Sequence, residues 1–245
     1  MKKAVIVLAA GQGRRMKSQV AKQFLLLDGK PLVYYSLKAF EDSGMDGIVL
    51  VTGADDIEYC RREIVEQFGF QKVISIVAGG MERYHSVYAG LRALSEVLEA
   101  EDVVLIHDGA RPLVDEDIIS RTIRAAMESG ACTAAMPVKD TIKVADPDQF
   151  AARTLDRSTL WQIQTPQVFS YGLIRGAYER MMGDPSFQKG VTDDAMVVES
   201  MTDRKVKLVE GSYRNLKVTT PEDMEVAACF LAAGKGCLKK SKKYI

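Results

Sequence analysis

The chain has 245 residues, 47% of them hydrophobic, and its 33 basic and 33 acidic residues give a net charge of zero. This composition is typical of a globular protein, and the length suits a single α/β domain. Without an overall positive field, the chain is not expected to bind nucleic acid or a membrane, so any polyanion site must be local. Four scattered cysteines without a Cys-x-x-Cys pair argue against a zinc site and a disulfide framework, and predict a cytoplasmic protein.

The first predicted element is a strand at residues 4–8, Ala-Val-Ile-Val-Leu, whose length and β-branched content suit burial on both faces. The preceding Lys2-Lys3 gives it a superficial likeness to a secretory signal. However, the apolar run is at the short limit for a signal, and Arg14-Arg15 follow at once. The sequence also has no run approaching the ~20 apolar residues of a membrane span.

A glycine-containing loop, residues 9–16 with the sequence AAGQGRRM, follows this strand and is itself followed by Lys22-Gln23-Phe24. Glycines let the backbone approach an anion, its N–H groups can cradle phosphate, and the cations neutralise the charge. A Walker A loop is excluded because the second glycine and the Lys-Ser/Thr pair are missing. A dinucleotide fingerprint is excluded because Met16 replaces its third glycine. A βα turn with solvated arginines remains the alternative, and Lys22 favours phosphate binding.

Apolar runs and helical patterns then alternate along the chain. Strands are predicted at residues 48–51, 73–77 and 103–106, and helices at 31–43, 54–68 and 83–99, with Pro31 at a first helical position. This alternation predicts a three-layer α/β fold with a mostly parallel sheet and helices on both faces. Ligands of such sheets bind at the carboxyl ends of the strands, here residues 10–15, 78–86 and 107–111.

The pattern changes after residues 132–138. Residues 139–164 lack a long helical stripe, and two short alternating pieces flank Asp146-Pro147-Asp148, which predicts a protruding β-hairpin arm. Such an arm is expected to pack on something, most simply a second copy of the chain. Helices at 170–182 and 193–201, a strand at 205–209 and a helix capped by Thr220 complete a domain of residues 1–233. Residues 234–245, with five lysines, are expected to be a frayed tail, with a functional basic patch as the alternative.

Seven segments together resemble the 2-C-methyl-D-erythritol 4-phosphate cytidylyltransferase family, a group of Rossmann-like nucleotidyltransferases. They are LAAGQGRRM (8–16), KQF (22–24), GGMERYHSV (79–87), HDGARP (107–112), LDRSTLWQIQTPQVF (155–169), TDDA (192–195) and LKVTTPED (216–223). The resemblance implies transfer of CMP from CTP to methylerythritol phosphate, giving 4-diphosphocytidyl-2-C-methyl-D-erythritol and diphosphate in non-mevalonate isoprenoid biosynthesis. It also implies a cytoplasmic homodimer that uses Mg²⁺ or another divalent cation, held mainly by the CTP phosphates rather than by protein ligands.

Site residues follow from the resemblance by position. Those matched to the catalytic step are Arg15, Lys22, Arg157 and Lys217. Those matched to nucleotide binding are Ala10, Gly11, Gly79, Gly80, Arg83, Ser86, Asp108 and Gly109. Those matched to the second substrate are Asp108, Arg111, Thr141, Arg157, Thr165, Thr192 and Lys217. For the segment around Gly79, a plain helix N-terminus is an alternative that can hold together with base binding.

Some residues depart from the pattern or have a competing interpretation. Met81 replaces an acidic residue of some family members, and Ala21 replaces a proline that would stiffen the loop. Asp108 could instead cap a helix beginning near Asp115. His107 is interpreted as structural rather than catalytic.

Two other functions remain open from the sequence. A ribitol 5-phosphate cytidylyltransferase would share the glycine loop, Lys22-Gln23-Phe24 and the Thr-Pro-Gln segment, whereas residues 155–161 and 107–112 favour the methylerythritol enzyme. A non-catalytic nucleotide-binding module could keep the loop but has no reason to keep Lys22, Lys217 and Arg157 together.

Overall fold

The computed structural model describes residues 1–11, 16 and 20–233 of the chain. The predicted loop residue Arg15 and the predicted tail at 234–245 lie outside the described residues. The helices and strands are β1 (Lys3–Ala9), β2 (Leu26–Leu27), β3 (Lys30–Pro31), α1 (Leu32–Asp42), β4 (Gly47–Thr52), α2 (Ile57–Tyr59), β5 (Val73–Ala78), α3 (Arg83–Ala93), β6 (Val103–Asp108), α4 (Glu116–Ser129), β7 (Ala131–Pro137), β8 (Lys143–Ala145), β9 (Ala151–Thr154), β10 (Trp161–Ser170), α5 (Tyr171–Gly183), α6 (Asp194–Met201), β11 (Lys207–Glu210) and α7 (Pro221–Ala232).

In this part of the chain a seven-stranded, mostly parallel sheet has the order β11-β7-β10-β6-β1-β4-β5. β1 lies in the middle and pairs in parallel with β4 and β6, so that Val5 is opposite Ile48 on one side and Leu105 on the other. β10 runs antiparallel between β6 and β7. The carboxyl ends of β1, β4, β5 and β6 therefore meet at one edge, where ligands of α/β sheets bind. The predicted fold class is confirmed.

Two apolar layers hold helices against the two faces of the sheet, because successive side chains of a strand point to opposite faces. Val5 packs in a buried cluster with Leu37 of α1, on the face that also carries α4. Its neighbour Ile6 packs in the other cluster with Leu91 of α3, on the face that carries α5 and α6. Among the described helices, none combines the length and the apolar character that crossing a membrane requires.

Two predicted helix boundaries were wrong in detail, and a third helix has the predicted span but an irregular backbone. Pro31 is the residue before α1 rather than its first helical residue, because its φ and ψ of −56° and 142° are extended and it pairs in β3. The helix expected at 54–68 is built from 3₁₀ turns at Ala54–Asp56, the single α-turn of α2, and π-helical turns at Cys60–Glu66. The helix expected at 83–99 ends at Ala93.

β10 was not predicted. Its sequence contains Pro166, and its pairing with β7 is interrupted between Ile163 and Gln167, so it lacks the continuous alternation of an ordinary strand. The strand nevertheless joins β6 to β7, and its first residues, 161–164, belong to the segment that was predicted to form the arm. That segment therefore ends inside the central sheet rather than outside it.

The protruding hairpin is present. β8 and β9 pair antiparallel, with Lys143 opposite Thr154, and they form a small sheet separate from the central one. Each residue from 139 to 154 is exposed, and the apolar side chain of Phe150 is 72% exposed. The structure thus confirms the β-hairpin expected from the short alternating pieces around Asp146-Pro147-Asp148.

Candidate active site

A cleft of about 500 Å³ opens at the carboxyl ends of the central strands, within the range of small-molecule sites. Segments far apart in the chain line it together. The predicted site residues that line it are Ala10, Gly11, Lys22, Gly80, Arg83, Ser86, Asp108 and Lys217. The fold therefore brings together the loop after β1, the end of β6 and the residues before α7. Gly79 lines an adjoining cavity that shares Ala10, Gly11 and Gly80 with this cleft.

Asp108, the last residue of β6, is the carboxylate around which the cations of the cleft gather. Its Oδ2 lies 2.8 Å from Lys217 Nζ and 3.6 Å from Arg111 Nε, and its Oδ1 lies 3.7 Å from Arg83 Nε. Burial by itself would raise the pKa of Asp108, but the three cations outweigh burial and hold that pKa well below its usual value. Asp108 is therefore an ionised acceptor at neutral pH.

The alternative role for Asp108, as a helix cap, is wrong. α4 is capped by Asp115, whose side chain accepts a hydrogen bond from the Ile118 backbone N–H at 2.9 Å. The carboxylate of Asp108 is committed instead to Lys217 and its neighbouring cations. Capping and charge pairing are thus divided between two aspartates seven positions apart.

Lys22 and Lys217 reach the cleft from opposite ends of the sequence. Lys22 begins a 3₁₀ turn, Lys22–Phe24, and its Nζ donates to the carbonyl of Val218 at 3.2 Å. Val218 in turn donates its backbone N–H to Ala110, just beyond the end of β6. The two lysines are therefore positioned by one connected set of backbone segments at the edge of the sheet.

The glycine pair after β5 lies where close approach requires the absence of a side chain. A Cβ built on Gly79 would stand 2.5 Å from the Cβ of Ala10 and 2.6 Å from Ser86 Oγ. Ser86 Oγ accepts a hydrogen bond from the Gly80 backbone N–H at 3.2 Å. The helix N-terminus expected here is confirmed, because Glu82 and His85 form a capping box at the start of α3, whereas base binding by this segment stays a prediction.

Arg83 enters the cleft from the first turn of α3 and is paired with a residue that the sequence did not assign. Its Nη1 and Nη2 donate to the two carboxylate oxygens of Asp194 at 2.8 and 2.7 Å. Asp194 is fully buried, and its Oδ1 also accepts from the Tyr178 hydroxyl at 2.6 Å. The Thr-Asp-Asp-Ala segment was noted as a motif, but nothing in it indicates a partner 111 positions away.

A family model described as 2-C-methyl-D-erythritol 4-phosphate cytidylyltransferase matches residues 3–233. The chain belongs to this family. A family member from Lachnospira eligens is 54% identical over 227 residues, covering 92% of this chain and 97% of that protein. One from Geobacter metallireducens is 49% identical, covering 92% and 96%.

Solved structures agree with this assignment. The crystal structure of a 4-diphosphocytidyl-2C-methyl-D-erythritol synthase from Anaerococcus prevotii superimposes with a TM-score of 0.78 at 32% identity, covering 94% of this chain and 96% of that one. The protein is a cytidylyltransferase that joins CTP to 2-C-methyl-D-erythritol 4-phosphate. The family assignment decides against the ribitol phosphate enzyme and against a non-catalytic module, the two functions that the sequence left open.

Three further predicted residues of this cytidylyltransferase support the cleft from behind. Thr165 Oγ1 accepts from the Asp108 backbone N–H at 3.0 Å and lies 3.1 Å from Nδ1 of His107. Arg111 is buried and donates from Nη1 to the Asn215 carbonyl at 2.8 Å. Gly109 donates its N–H to Leu8 O at 2.8 Å. Thr165 and Gly109 thus hold the backbone at the end of β6.

His107 is fully buried behind the cleft, and burial lowers its pKa to about 4. Its Nε2 lies 3.2 Å from the carbonyl of Arg111, and its ring makes an edge contact with Phe40. A neutral imidazole with a partner for each ring nitrogen suits the structural interpretation.

The remaining predicted residues do not line the part of the cleft formed by the described residues. Thr141 and Arg157 belong to the exposed segment around the hairpin, and Arg157 Nη1 donates to the carbonyl of Lys139 at 2.9 Å. Thr192 is exposed, with its hydroxyl 3.8 Å from the sulfur of Met196.

The two departures from the family pattern lie at the rim. Met81 lines the cleft with its side chain 97% exposed, so an apolar thioether stands where some family members have an acid. Ala21 precedes the turn of Lys22 with φ and ψ of −58° and 135°. This backbone conformation is the one that a proline ring imposes.

Proposed function

We propose that CTP lies across the cleft, with its cytosine against Gly79, Gly80 and Ser86 and its α-phosphate beside Lys22 and Lys217. The main support is the 3.2 Å hydrogen bond from Lys22 Nζ to the carbonyl of Val218. Because Val218 follows Lys217, this bond brings the two lysines to one side of the cleft. Ala10 and Gly11 offer backbone to the nucleotide on the same edge. Arg15 joins this set by its place in the loop sequence.

The reaction needs alignment and positive charge more than it needs a base. A phosphate monoester is largely dianionic at neutral pH, since its second pKa is about 6. One of its oxygens attacks the α-phosphorus of CTP, the new P–O bond forms, and the bond to the β-phosphate oxygen breaks. Diphosphate leaves with that electron pair, so no proton has to move. Cations fixed on rigid elements stabilise the charge that gathers on the α-phosphoryl oxygens.

Asp108 has a positioning task in this scheme. Its ionised carboxylate lies 2.8 Å from Lys217 Nζ, which holds the lysine side chain at the cleft. A carboxylate is also an acceptor for hydroxyl groups, which both the ribose of CTP and methylerythritol phosphate carry. We therefore assign Asp108 to substrate hydroxyl binding and to the orientation of Lys217, with Arg111 as its buried second cation.

The donor set of the cleft fits a divalent cation, such as Mg²⁺, held mainly by the triphosphate. Among the described residues, no three His, Cys, Asp or Glu side chains meet in a cluster that could hold a metal ion. Asp108 could add one oxygen, although its charge is already shared with three cations. Mg²⁺ commonly binds through substrate phosphates with one or two carboxylates, and it neutralises phosphate charge when bound.

The arm is proposed to complete the site of a second subunit. This proposal is supported by the exposure of residues 139–154 and by the apolar Phe150 at 72% exposure, a surface suited to packing on another chain. Arg157 suits the phosphate of methylerythritol phosphate because a guanidinium binds phosphate oxygens in a bidentate fork. In a two-fold homodimer each arm would reach the other subunit's cleft.

We also assign the enzyme to the cytoplasm. Cys60, Cys132 and Cys229, the cysteines in the described part of the chain, carry free thiols, which suits a reducing compartment. Burial raises the pKa of the Cys60 thiol to about 11 and that of Cys132 to about 12, so these thiols are unreactive.

Diphosphate release from CTP tests the proposal directly. We expect diphosphate release with methylerythritol phosphate and little release with ribitol phosphate. The Lys22→Ala variant should release diphosphate far more slowly than the wild type. The matched control is Lys205→Ala, which removes an exposed lysine between α6 and β11 and is expected to keep full activity. Full activity in a folded Lys22→Ala variant would remove that lysine from the reaction.

Chelation tests the metal assignment separately. Removing divalent cations should abolish turnover and leave the melting temperature of the nucleotide-free protein almost unchanged, because the metal is expected to arrive with the substrate. A large fall in melting temperature would instead indicate a structural metal site in the protein.

A further inference from the structure

Asp194 is a fully buried carboxylate that forms an ion pair with one cation of the cleft, Arg83. Both of its oxygens accept from the guanidinium of Arg83, at 2.8 and 2.7 Å, in the parallel arrangement that makes arginine–carboxylate pairs strong and directional. Attraction to Asp194 outweighs the effect of burial and raises the pKa of Arg83. The pair connects the first turn of α6 to the first turn of α3, across 111 positions of sequence.

Asp194 is itself held from several sides. Gln167 of β10 accepts from the backbone N–H groups of Asp194 and Ala195, at 2.9 Å each, and donates to Asp193 at 2.9 Å. Tyr178 of α5 donates its hydroxyl to the carboxylate at 2.6 Å. The central sheet and two helices thus fix the position of a single acidic group, which makes it a rigid anchor.

Arg83 lies between this anchor and the working side of the cleft. Its Nε is 3.7 Å from Asp108 Oδ1, while the opposite oxygen of Asp108 is 2.8 Å from Lys217 Nζ. If the charge on Asp194 were lost, the nearest remaining carboxylate for Arg83 would be Asp108. The guanidinium would then compete with Lys217 for that carboxylate and move away from its place beside Gly80 and Ser86.

We propose that Asp194 is a positioning residue of the transfer reaction, which holds Arg83 in place so that Asp108 remains available to Lys217 and the substrates. The proposal rests on the proposed function of the cleft, in which Arg83 borders the nucleotide. Asp194 acts through Arg83 and does not line the described part of the cleft, so it is not itself a catalytic residue. Its charge and its distance from Arg83 are both required.

Asp194→Asn tests the charge, and Asp194→Glu tests the distance. The asparagine keeps the shape but presents an amide to one guanidinium nitrogen, so we expect kcat/KM for CTP to fall at least about tenfold. The glutamate keeps the buried pair neutral, so the protein should fold, yet it displaces Arg83 by about 1 Å and should also lower kcat/KM, since misplacement on that scale is costly. Glu199→Gln is the matched control: it removes an exposed carboxylate from the same helix, α6, and should change kcat/KM less than about twofold.

A double-mutant cycle with Arg83→Gln separates positioning from mere support of the fold. If Asp194 acts through Arg83, Asp194→Asn in the Arg83→Gln background should change kcat/KM by less than about twofold. Thermal melts followed by circular dichroism give the unfolding transition of each variant, and every assay is run at a temperature below it. Near-normal kcat/KM in folded Asp194→Asn and Asp194→Glu would overturn the proposal, and so would losses that simply multiply with that of Arg83→Gln.

The same cycle distinguishes failure of this inference from failure of the proposed function. If Arg83→Gln alone leaves kcat/KM unchanged, Arg83 has no place in the nucleotide site and the function assigned to it is wrong. If Arg83→Gln lowers kcat/KM while both Asp194 variants do not, the site assignment stands and the positioning role of Asp194 fails.

Discussion

The cleft and the arm of this cytidylyltransferase differ in how far their charged groups are buried and paired. In the cleft, Asp108 and Asp194 are buried and each is paired with cations, so the polar groups are fixed by the sheet and its helices. In the arm, residues 139–154 are exposed, and Arg157 donates to the nearby carbonyl of Lys139 at 2.9 Å. The difference indicates that the charged groups of the cleft are held in place within one chain, whereas the arm is proposed to act by contact with another.

The strongest test of the cleft is removal of its loop cations. Loss of one preorganised charge donor in a transition state typically costs on the order of 10²–10³ in rate, so Lys22→Ala and Arg15→Ala should each lower kcat by at least that factor. Circular dichroism should show both variants folded. A kcat close to that of the wild type in either variant would remove that residue from the catalytic step and weaken the contrast with the arm.

The arm should respond differently, because Arg157 is proposed to hold only the second substrate. Arg157→Ala is expected to raise KM for methylerythritol phosphate roughly tenfold or more, as expected for a lost charge-assisted contact to phosphate, and to slow turnover. The dissociation constant of CTP, measured by calorimetry, should change little. A comparable loss of CTP affinity would mean that the arm also contributes to the nucleotide site.

The stability of the protein should depend on pH through His107, which is buried behind the cleft. Burial lowers the pKa of this residue to about 4 in the folded state, below its ordinary 6.5, so the unfolded chain binds a proton that the folded protein does not. The stability that the protein gains from a neutral His107 is therefore fully present above pH 6.5, and it is lost as the pH falls towards 4. The stability deficit of His107→Gln relative to the wild type, from urea unfolding, should shrink by about 2 kcal/mol between pH 8 and pH 5.

A deficit that stays constant over this pH range would contradict the assignment of a neutral, buried His107. The measurement sharpens the comparison because the exposed arm should show no equivalent dependence. Replacing an exposed arm residue such as Lys143 by alanine provides the control, and its stability difference from the wild type should be nearly independent of pH over the same range.

The smallest expected effect is at the rim. Ala21→Pro should raise the free energy of unfolding by about 0.5 kcal/mol, because φ at this position is already −58° and the substitution restricts the unfolded chain. Ala21→Gly, the matched control, should lower it by a similar amount. Urea denaturation of both variants measures whether each substitution raises or lowers the free energy of unfolding. Destabilisation by proline would show that the rim before Lys22 requires the freedom that alanine retains.

The sequence predicted what depends on local patterns. Alternating apolar runs and helical stripes were sufficient to place β1, β4, β5 and β6, and therefore the edge of the sheet where the cleft lies. β10 was missed because Pro166 and the interrupted pairing after Ile163 hide its alternation.

Within the site, matched motifs located the residues that line the cleft but not the pairs between them. The contacts of Arg83 with Asp194, and of Lys22 with Val218, join positions more than a hundred residues apart. Such pairs depend on how helices pack on the sheet, and a single sequence carries no signal for that geometry. For the same reason, the place of Arg157 relative to a cleft remains a prediction that only an experiment on the assembled protein can test.

That experiment mixes two chains that are each impaired on their own. Lys22→Ala damages the cleft of its own chain, whereas Arg157→Ala is proposed to damage the cleft of the partner, so a heterodimer carries one site with both defects and one with neither. With random exchange, about half of the dimers are mixed and about a quarter of wild-type activity should return. Lys22→Ala mixed with Lys217→Ala is the matched control, because both defects lie in the clefts of their own chains and no activity should return. No recovery from Lys22→Ala with Arg157→Ala, in a mixture verified to contain heterodimers, would contradict the shared site.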